Sequence, residues 1–252
     1  ELTMVKLNVI IGRFSGKHAG HDLLIETAFS RSNEVLILLG SANRPRTIKN
    51  PWTWQERREA LLKDFPNVNV LPINDYKYND EQWILDVNFT VSKFIKDKGF
   101  KDVQVTLVGH EKPDTDYLKW FPNWRYFRVE SDIVASATIY RNHLYRNLPS
   151  VYTDEVLEDF EYFEKERTWF SSYPFPQALN INCADSVVEC AGHILLIKRK
   201  NAPGRNTWAL PGGHKNTNET FLECAIRELL EETNLRVPEK VLRGSIQASK
   251  LF

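Results

Sequence analysis

The fold is indicated by residues 12–21, which read Gly12, Arg13, Phe14, Ser15, Gly16, Lys17, His18, Ala19, Gly20 and His21. An apolar run precedes this stretch at residues 6–11, and a helical pattern follows it. A glycine-rich turn between a strand and a helix is where α/β sheets bind phosphate, because free N–H groups at the helix start attract anions. Two imidazoles three residues apart can both reach one such ligand.

The alternation of strands and helices continues along the first part of the chain. Strand-like runs occupy residues 34–39, 68–72 and 103–108, and helical patterns occupy residues 21–31, 54–64 and 81–96. Parallel neighbours in a sheet need crossover helices between them. The sequence therefore predicts an α/β fold with a Rossmann-like, doubly wound parallel sheet.

The bulk composition excludes several classes of protein. Lys plus Arg and Asp plus Glu are equal at 33 each, which gives no global field for nucleic acid or an anionic membrane surface. The apolar runs are shorter than the roughly 20 residues of a membrane helix. The three cysteines show no metal-binding or disulfide spacing, which suits a reducing compartment. We expect a cytoplasmic protein with no nucleic-acid partner and no membrane partner.

A change of pattern near residue 150 predicts a second domain. Residues 154–169 form a charged, aromatic-studded helical pattern, and a proline-containing stretch follows at residues 173–176. The expected organisation is a first domain at 1–150, a linker helix and connection at 151–177, and a second domain at 178–252. A hairpin around Ala191 and Gly192 and a helix at 221–233 make the second domain mixed α and β.

Three carboxylates in the second domain share one helix face. Glu228, Glu231 and Glu232 fall at positions i, i+3 and i+4, an arrangement that can bind a hard divalent cation. Leu222, Ala225 and Leu229 lie at helical spacing on the other side, where an apolar stripe would face the core. The alternative is a solvated acidic helix, which does not require this spacing.

Two family resemblances follow from these motifs. His18-Ala19-Gly20-His21 and the later Ser136, Thr138 and Arg141 resemble the two motifs of the nucleotidyltransferase superfamily. Residues 40–53, 109–112 and 117–124 resemble nicotinamide mononucleotide adenylyltransferases that are fused to Nudix domains. Gly213, Glu219 and residues 227–235 resemble the Nudix box, with Asn234 in place of the family's glycine. Asn tolerates the left-handed conformation of a helix cap, so this departure is expected to be mild.

The first resemblance implies adenylyl transfer from ATP to nicotinamide mononucleotide, giving NAD and pyrophosphate. His18, His21 and Arg141 would be catalytic, and Mg²⁺, or Mn²⁺, would bridge the phosphates. Ser136 would open a helix, and Tyr117, Trp120 or Trp124 would stack on nicotinamide unless they pack in the core or a lid. The full set of implied substrate-binding residues is Gly12, Arg13, Phe14, Arg46, Asn50, Gly109, Tyr117, Trp120, Trp124, Ser136 and Thr138. Lys17 departs from the family, which has Gln-Pro-Phe at residues 15–17, and would add a positive charge beside the phosphates.

The second resemblance implies hydrolysis of ADP-ribose, or a related nucleoside diphosphate derivative, to AMP and ribose 5-phosphate. Glu228, Glu231 and Glu232 would hold the metal, with Glu231 or Glu232 as a candidate base, and Glu219 and Arg227 would form a structural ion pair. The chain is expected to hold only the N-terminal part of a Nudix domain. Two alternatives remain: transfer to another phosphate acceptor, such as pantetheine phosphate, and a Nudix domain that senses ADP-ribose without hydrolysis. A homo-oligomer is also considered.

Overall fold

The computed structural model describes residues 4–77, 79–110, 120–130, 137–146, 152–172 and 181–249. The chain divides into two compact units, Glu1–Tyr152 and Thr153–Phe252. Within the described ranges, every helix is too short or too polar to cross a lipid bilayer.

The first unit is built on a five-stranded parallel sheet. Its strands are β1 (Val5–Gly12), β2 (Glu34–Leu39), β3 (Asn69–Pro72), β4 (Val103–Gly109) and β5 (Arg125–Arg128), in the order β3-β2-β1-β4-β5. The reversal of strand order at β1 is the doubly wound pattern, so the predicted fold class is confirmed. The edge strand β5 was not predicted, because its two aromatic residues lie between two arginines and form no buried apolar run.

Helices cover both faces of this sheet. The described helices of the unit are α1 (Ala19–Arg31), α2 (Trp54–Asp64), α3 (Asp80–Asp97) and α4 (Ala137–Arg146). Side chains alternate along a strand, so Val35, Ile37 and Leu39 of β2 enter one core cluster, while Leu36 and Leu38 enter the other. All five are fully buried. Burial on both faces explains why β2 reads as a continuous apolar run.

The start of α2 is set by local chemistry. Thr53 accepts a hydrogen bond from the Glu56 backbone N–H, and the Glu56 carboxylate accepts one from the Thr53 N–H. This capping box satisfies donors that would otherwise be orphaned. It also fixes where Arg57, in the first turn of α2, enters the molecule.

In its described residues, 153–172 and 181–249, the second unit combines three helices with three small two-stranded sheets. Its elements are α5 (Asp154–Ser171), β6 (Cys183–Asp185), β7 (Glu189–Cys190), β8 (His193–Ile194), β9 (Ile197–Lys198), β10 (Trp208–Ala209), β11 (Gly212–His214), α6 (Phe221–Thr233) and α7 (Glu239–Gly244). The predicted hairpin is confirmed as β7 and β8, with Ala191 and Gly192 both at positive φ. Asn234 caps α6 in the left-handed region, at φ 55°, as predicted.

Two features of the second unit differ from the sequence analysis. Helix α5, assigned there to a linker, contacts this unit: Asp159 accepts a hydrogen bond from the Gly204 N–H at 2.7 Å, and Glu158 pairs with Arg205. The apolar stripe of α6 was wrong in part. Leu229 is buried and Leu222 is exposed, and the buried face is completed by Cys224 and Ile226.

Candidate functional site

The two histidines of the first motif lie at the start of α1. Their rings stack, with centroids 3.8 Å apart and an interplanar angle of 20°. His18 occupies the N-cap position, where its side chain makes no capping bond. Among the residues that the structure describes, the buried Nδ1 atom of His18 has no hydrogen-bond partner. A buried polar atom without a partner is costly, so the geometry favours a ligand at this helix terminus.

Glycines and a left-handed residue shape the loop before α1, residues 13–18, which we call the histidine loop. A Cβ on Gly20 would stand 3.2 Å from two atoms of the His18 ring, and a Cβ on Gly12 would stand 3.0 Å from the Phe14 ring. Phe14 itself is buried at φ 49°. Its ring lies 4.5 Å from that of His21. The conformation therefore packs three aromatic rings around the head of α1.

Burial lowers the pKa of His18 below its ordinary value of 6.5; the charge of Asp22 opposes this effect, and that of His110 adds to it. His18 is therefore mainly neutral at neutral pH and can donate one hydrogen bond. The ring of His110 lies between two carbonyl oxygens, with Nδ1 2.9 Å from Val129 and Nε2 3.4 Å from Gly20. His110 thus ties the end of the sheet to the glycine between the paired histidines.

Arg57 organises the loops around the site and was not recognised as a functional candidate from the sequence. It is 3% exposed and donates hydrogen bonds to the carbonyl oxygens of Arg13, Gly40 (3.0 Å) and Ser41 (3.4 Å). Burial, together with the neighbouring charge of Arg13, lowers the pKa of Arg57 to about 10. One guanidinium therefore joins the loops that follow β1 and β2.

The three predicted phosphate-binding arginines differ in their surroundings. Arg13 is exposed, and within the described ranges its guanidinium makes no hydrogen bond or ion pair. Arg46 forms a two-bond pair with Glu56 at 2.7 and 2.8 Å, and donates to the Pro51 carbonyl. Arg141 is half-buried on α4, next to Tyr140, whose ring lies 6.2 Å from that of His18. Arg13 and Arg141 lie on the loop and the helix that flank the histidines, whereas Arg46 is held by its own carboxylate.

A cavity of about 350 Å³ opens between the histidine loop, α2 and α4. Phe14, Trp52, Tyr140 and Leu144 supply its apolar walls. This volume falls within the range of small-molecule pockets, about 300–1,000 Å³. The space beside the histidine loop is therefore large enough for part of a nucleotide.

The remaining predicted substrate-binding residues have varied settings. Trp120 packs edge-on against Trp83, and Trp124 stacks on Phe121 with ring centroids 4.4 Å apart. Both Trp120 and Trp124 pack against the core cluster that contains Leu36 and Leu38. Asn50 is buried, and its Oδ1 has no hydrogen-bond partner among the described residues. The carbonyl of Gly109 accepts from the Val129 N–H. Tyr117 and Ser136 lie outside the described residues, and Thr138 lies in the first turn of α4.

An arginine organises the second motif. Arg227 donates two hydrogen bonds to Glu219, at 2.7 and 3.0 Å, and others to Glu228 at 2.7 Å and to Glu231 at 3.2 Å. Its Nη2 also donates to the carbonyl of His214 at 3.0 Å, which fixes the end of β11. The hydrogen bonds of Arg227, followed by that of the Asn216 N–H, lower the pKa of Glu219 to about 2. Glu219 is thus an anion at neutral pH and shapes the loop before α6.

Two of the three candidate metal ligands on α6, Glu228 and Glu232, lie against the strand β11. Glu232 accepts a hydrogen bond from the Gly212 N–H at 2.9 Å. The carboxylate of Glu228 lies so close to Gly213 that a Cβ there would stand 2.5 Å from it. Within the described ranges, no group of three or more His, Cys, Asp and Glu side chains is arranged to hold a metal ion. The donor set is all carboxylate oxygen, which suits Mg²⁺ or Mn²⁺, and the bonds from Arg227 keep Glu228 and Glu231 apart from such a cluster.

The fold agrees with that of known proteins, and family models match both parts of the chain. The chain belongs to the cytidylyltransferase-like family, whose model matches residues 9–168. A NUDIX domain model matches residues 182–250. The chain therefore joins these two domain types in one polypeptide, and the resemblance predicted from the motifs is confirmed.

Particular relatives match each part of the chain. A nicotinamide/nicotinic acid mononucleotide adenylyltransferase of Acinetobacter baylyi is 36% identical over 49% of this chain and 66% of that protein. An ADP-ribose pyrophosphatase of Methanocaldococcus jannaschii is 47% identical over 24% of this chain and 36% of that protein. The chain thus spans less than two thirds of these curated relatives.

A solved structure resembles almost the whole chain. The bifunctional NMN adenylyltransferase/ADP ribose pyrophosphatase of Francisella tularensis superposes with a TM-score of 0.78 and 29% identity, over 96% of this chain and 78% of that one. A further structure of that enzyme is complexed with AMP and a manganese ion. The sequence similarity of both domains is thus accompanied by a similar three-dimensional structure.

Proposed function

We propose that the first unit transfers the adenylyl group of ATP to nicotinamide mononucleotide, forming NAD and pyrophosphate. The observation that carries this proposal is the stacked pair His18 and His21 at the head of α1, with a partnerless buried nitrogen on His18. The names of the adenylyltransferase relatives support the choice of acceptor. The proposed partners are ATP, nicotinamide mononucleotide and NAD.

The chemistry is an in-line displacement at the α-phosphorus of ATP. The mononucleotide phosphate forms the new P–O bond while the bond to the pyrophosphate oxygen breaks, and the protein contributes position and charge rather than a covalent intermediate. His18 and His21 hold phosphate oxygens by hydrogen bonds at the positive end of α1. Arg13 and Arg141 offset the charge that develops on the leaving pyrophosphate, and Arg46 reaches it only by releasing Glu56. A divalent cation bound to ATP, Mg²⁺ or Mn²⁺, would neutralise part of the phosphate charge.

The test is incubation with ATP, nicotinamide mononucleotide and Mg²⁺, followed by measurement of NAD and pyrophosphate. We expect the parent to form NAD and a double variant, His18→Ala with His21→Ala, to lose at least about a hundredfold in rate. His193→Ala removes an exposed histidine from the second unit and serves as a matched control. A folded parent that forms no NAD but adenylylates pantetheine phosphate would move the assignment to that acceptor.

For the second unit we propose hydrolysis of ADP-ribose to AMP and ribose 5-phosphate. Glu228, Glu231 and Glu232 would hold a divalent cation, Mg²⁺ or Mn²⁺, which neutralises the diphosphate and activates water when bound. The chain's own contribution is to present these carboxylates on α6 against the backbone of Gly212 and Gly213. Glu231 or Glu232 takes the proton of the attacking water, and the bond from Arg227 to Glu219 holds the loop.

The hydrolase proposal is separated from a sensing role by one pair of measurements. AMP release from ADP-ribose with Mg²⁺ or Mn²⁺ is compared between the parent, Glu232→Gln, and the control Glu189→Gln on the exposed strand β7. Release that is lost only in Glu232→Gln supports hydrolysis. Tight calorimetric binding of ADP-ribose without release favours the sensor, for which the contacts of Arg227 with Glu228 and Glu231 are the structural argument.

A further inference from the structure

Lys17, the residue immediately before the first histidine, joins two helices. Its ammonium lies 2.5 Å from the Asp22 carboxylate on α1 and 2.7 Å from the Asp64 carboxylate at the last position of α2. Its Nζ also lies 5.6 Å from the centre of the Phe65 ring. Two anions therefore neutralise its charge. The sequence-based expectation of an added charge beside the phosphates does not describe this geometry.

Helix α2 contacts both ends of the histidine loop. The Arg57 guanidinium donates a hydrogen bond to the Arg13 carbonyl, and the Asp64 carboxylate forms an ion pair with the Lys17 ammonium. The seven-residue separation of Arg57 and Asp64 is two helical turns, about 10.5 Å along α2. The loop between these anchor points contains two residues at positive φ, Phe14 at 49° and Gly16 at 87°. A phenylalanine in this left-handed conformation persists only where the surroundings hold it, whereas glycine adopts a positive φ readily.

We propose that Lys17 is a positioning residue that fixes the histidine loop, and with it His18, for the proposed adenylyl transfer. Gly16, at φ 87°, cannot be a proline, whose ring holds φ near −65°. The ion pairs of Lys17 with Asp22 on α1 and Asp64 on α2 restrain the loop in place of a proline ring. The inference rests on the proposed function for its kinetic consequence, but its structural part is independent of that function.

The bridge also sets the electrostatic surroundings of His18. The groups that face this imidazole are His21 and Asp22 on α1, His110 after β4 and Tyr140 on α4. The carboxylate of Asp22 raises the pKa of His18, against the larger effect of burial. Lys17 neutralises that carboxylate at present. Removing the Lys17 ammonium would therefore raise the pKa of His18. Removing the Asp64 carboxylate would leave Lys17 paired with Asp22 alone, and the pKa of His18 would not rise.

The experiment compares Lys17→Met, Asp64→Asn and Lys17→Arg with the control Lys63→Met. The control removes an exposed lysine from α2, next to Asp64. We expect Lys17→Met to lower kcat for NAD formation roughly tenfold or more with little change in KM for ATP, and Lys17→Arg to restore most of the rate. In an NMR titration of the full chain, the His18 midpoint rises by about half a pH unit in Lys17→Met and does not rise in Asp64→Asn.

General destabilisation would affect Lys17→Met and Asp64→Asn alike, whereas the proposed bridge predicts a higher His18 midpoint in Lys17→Met alone. Equal His18 midpoints and equal rates in the parent and Lys17→Met would overturn the proposal, as would a rise of the midpoint in Asp64→Asn. If Lys17→Met does not fold, Asp64→Asn decides the positioning role: it removes the ion pair with α2 and should lower kcat, and a parental kcat in that variant would overturn the proposal. A parent that forms no NAD would refute the proposed function alone, since the His18 titration still measures the bridge.

Discussion

Replacing Arg57 by methionine is the most direct test of how the first site is held together. Methionine keeps an unbranched stem of similar length but removes every donor of the guanidinium. The carbonyl oxygens of Arg13 and Gly40 then lose the donor that the structure gives them. The guanidinium also donates to the carbonyls of Ser41 and Thr53. Each of these keeps a second donor, because the Arg44 N–H binds the Ser41 carbonyl and the Arg57 backbone N–H binds the Thr53 carbonyl.

The expected magnitude follows from these two orphaned acceptors. A buried polar group left without a partner costs about 1–3 kcal/mol, so the pair costs about 2–6 kcal/mol. Loss of the buried charge offsets part of this, because burial disfavours the cation enough to lower the pKa of Arg57 to about 10. We expect a net destabilisation of the first unit of about 2–3 kcal/mol, or a drop in Tm of roughly 4–12 °C.

The assay is thermal unfolding followed by near-ultraviolet circular dichroism, in parallel with NAD formation. Arg58→Met is the matched control, because Arg58 is the next residue on α2 and is exposed. We expect that control to unfold within about 0.5 kcal/mol of the parent. If Arg57→Met and Arg58→Met unfold at the same temperature, the carbonyl contacts contribute nothing, and the reasoning is refuted.

Three further predictions address individual contacts. Gly20→Ala should slow NAD formation roughly tenfold, because its Cβ displaces the His18 ring; a folded variant with the parental rate contradicts this. Gly213→Ala should leave Tm nearly unchanged but reduce ADP-ribose hydrolysis about a hundredfold by moving the flexible Glu228 carboxylate, measured by AMP release, and unchanged release argues against it. Since Arg227 lowers the pKa of Glu219 from 4.5 to about 2, their bond stabilises the second unit fully above pH 4.5 and progressively less toward pH 2. In acid unfolding, Glu219→Gln should differ from the parent at pH 6 and converge with it near pH 2; a constant difference would contradict the assignment.

Most of the first unit could be predicted because its signals are local. The apolar run of β2 and the amphipathic helix α2 have the predicted bounds, Glu34–Leu39 and Trp54–Asp64. In both cases the residues decide their own environment: β2 is apolar enough to be buried on both faces, and a capping box starts α2. The edge strand β5 carries no such signal, and its pairing with β4 is decided by tertiary contacts.

The candidate sites were predictable as residue types but not as a set of contacts. The spacing of His18 and His21 identifies a pair that can share a ligand, and the structure stacks their rings. The spacing of Glu228, Glu231 and Glu232 identifies a shared helix face, but Arg227 holds two of these carboxylates in this structure. Whether a charged group is available to a ligand depends on its partners, which sequence spacing does not give.

The sequence alone predicts the order of strands and helices, the two histidines at the start of α1, and the acidic face of α6, because each depends on residues close together in the chain. The pairing of charges, in contrast, is set by tertiary packing. Arg57 reaches loops after two different strands, and Lys17 meets Asp64 across 47 positions of sequence. The physical reason is that such contacts depend on how α2 packs beside the sheet, and no local pattern encodes that packing.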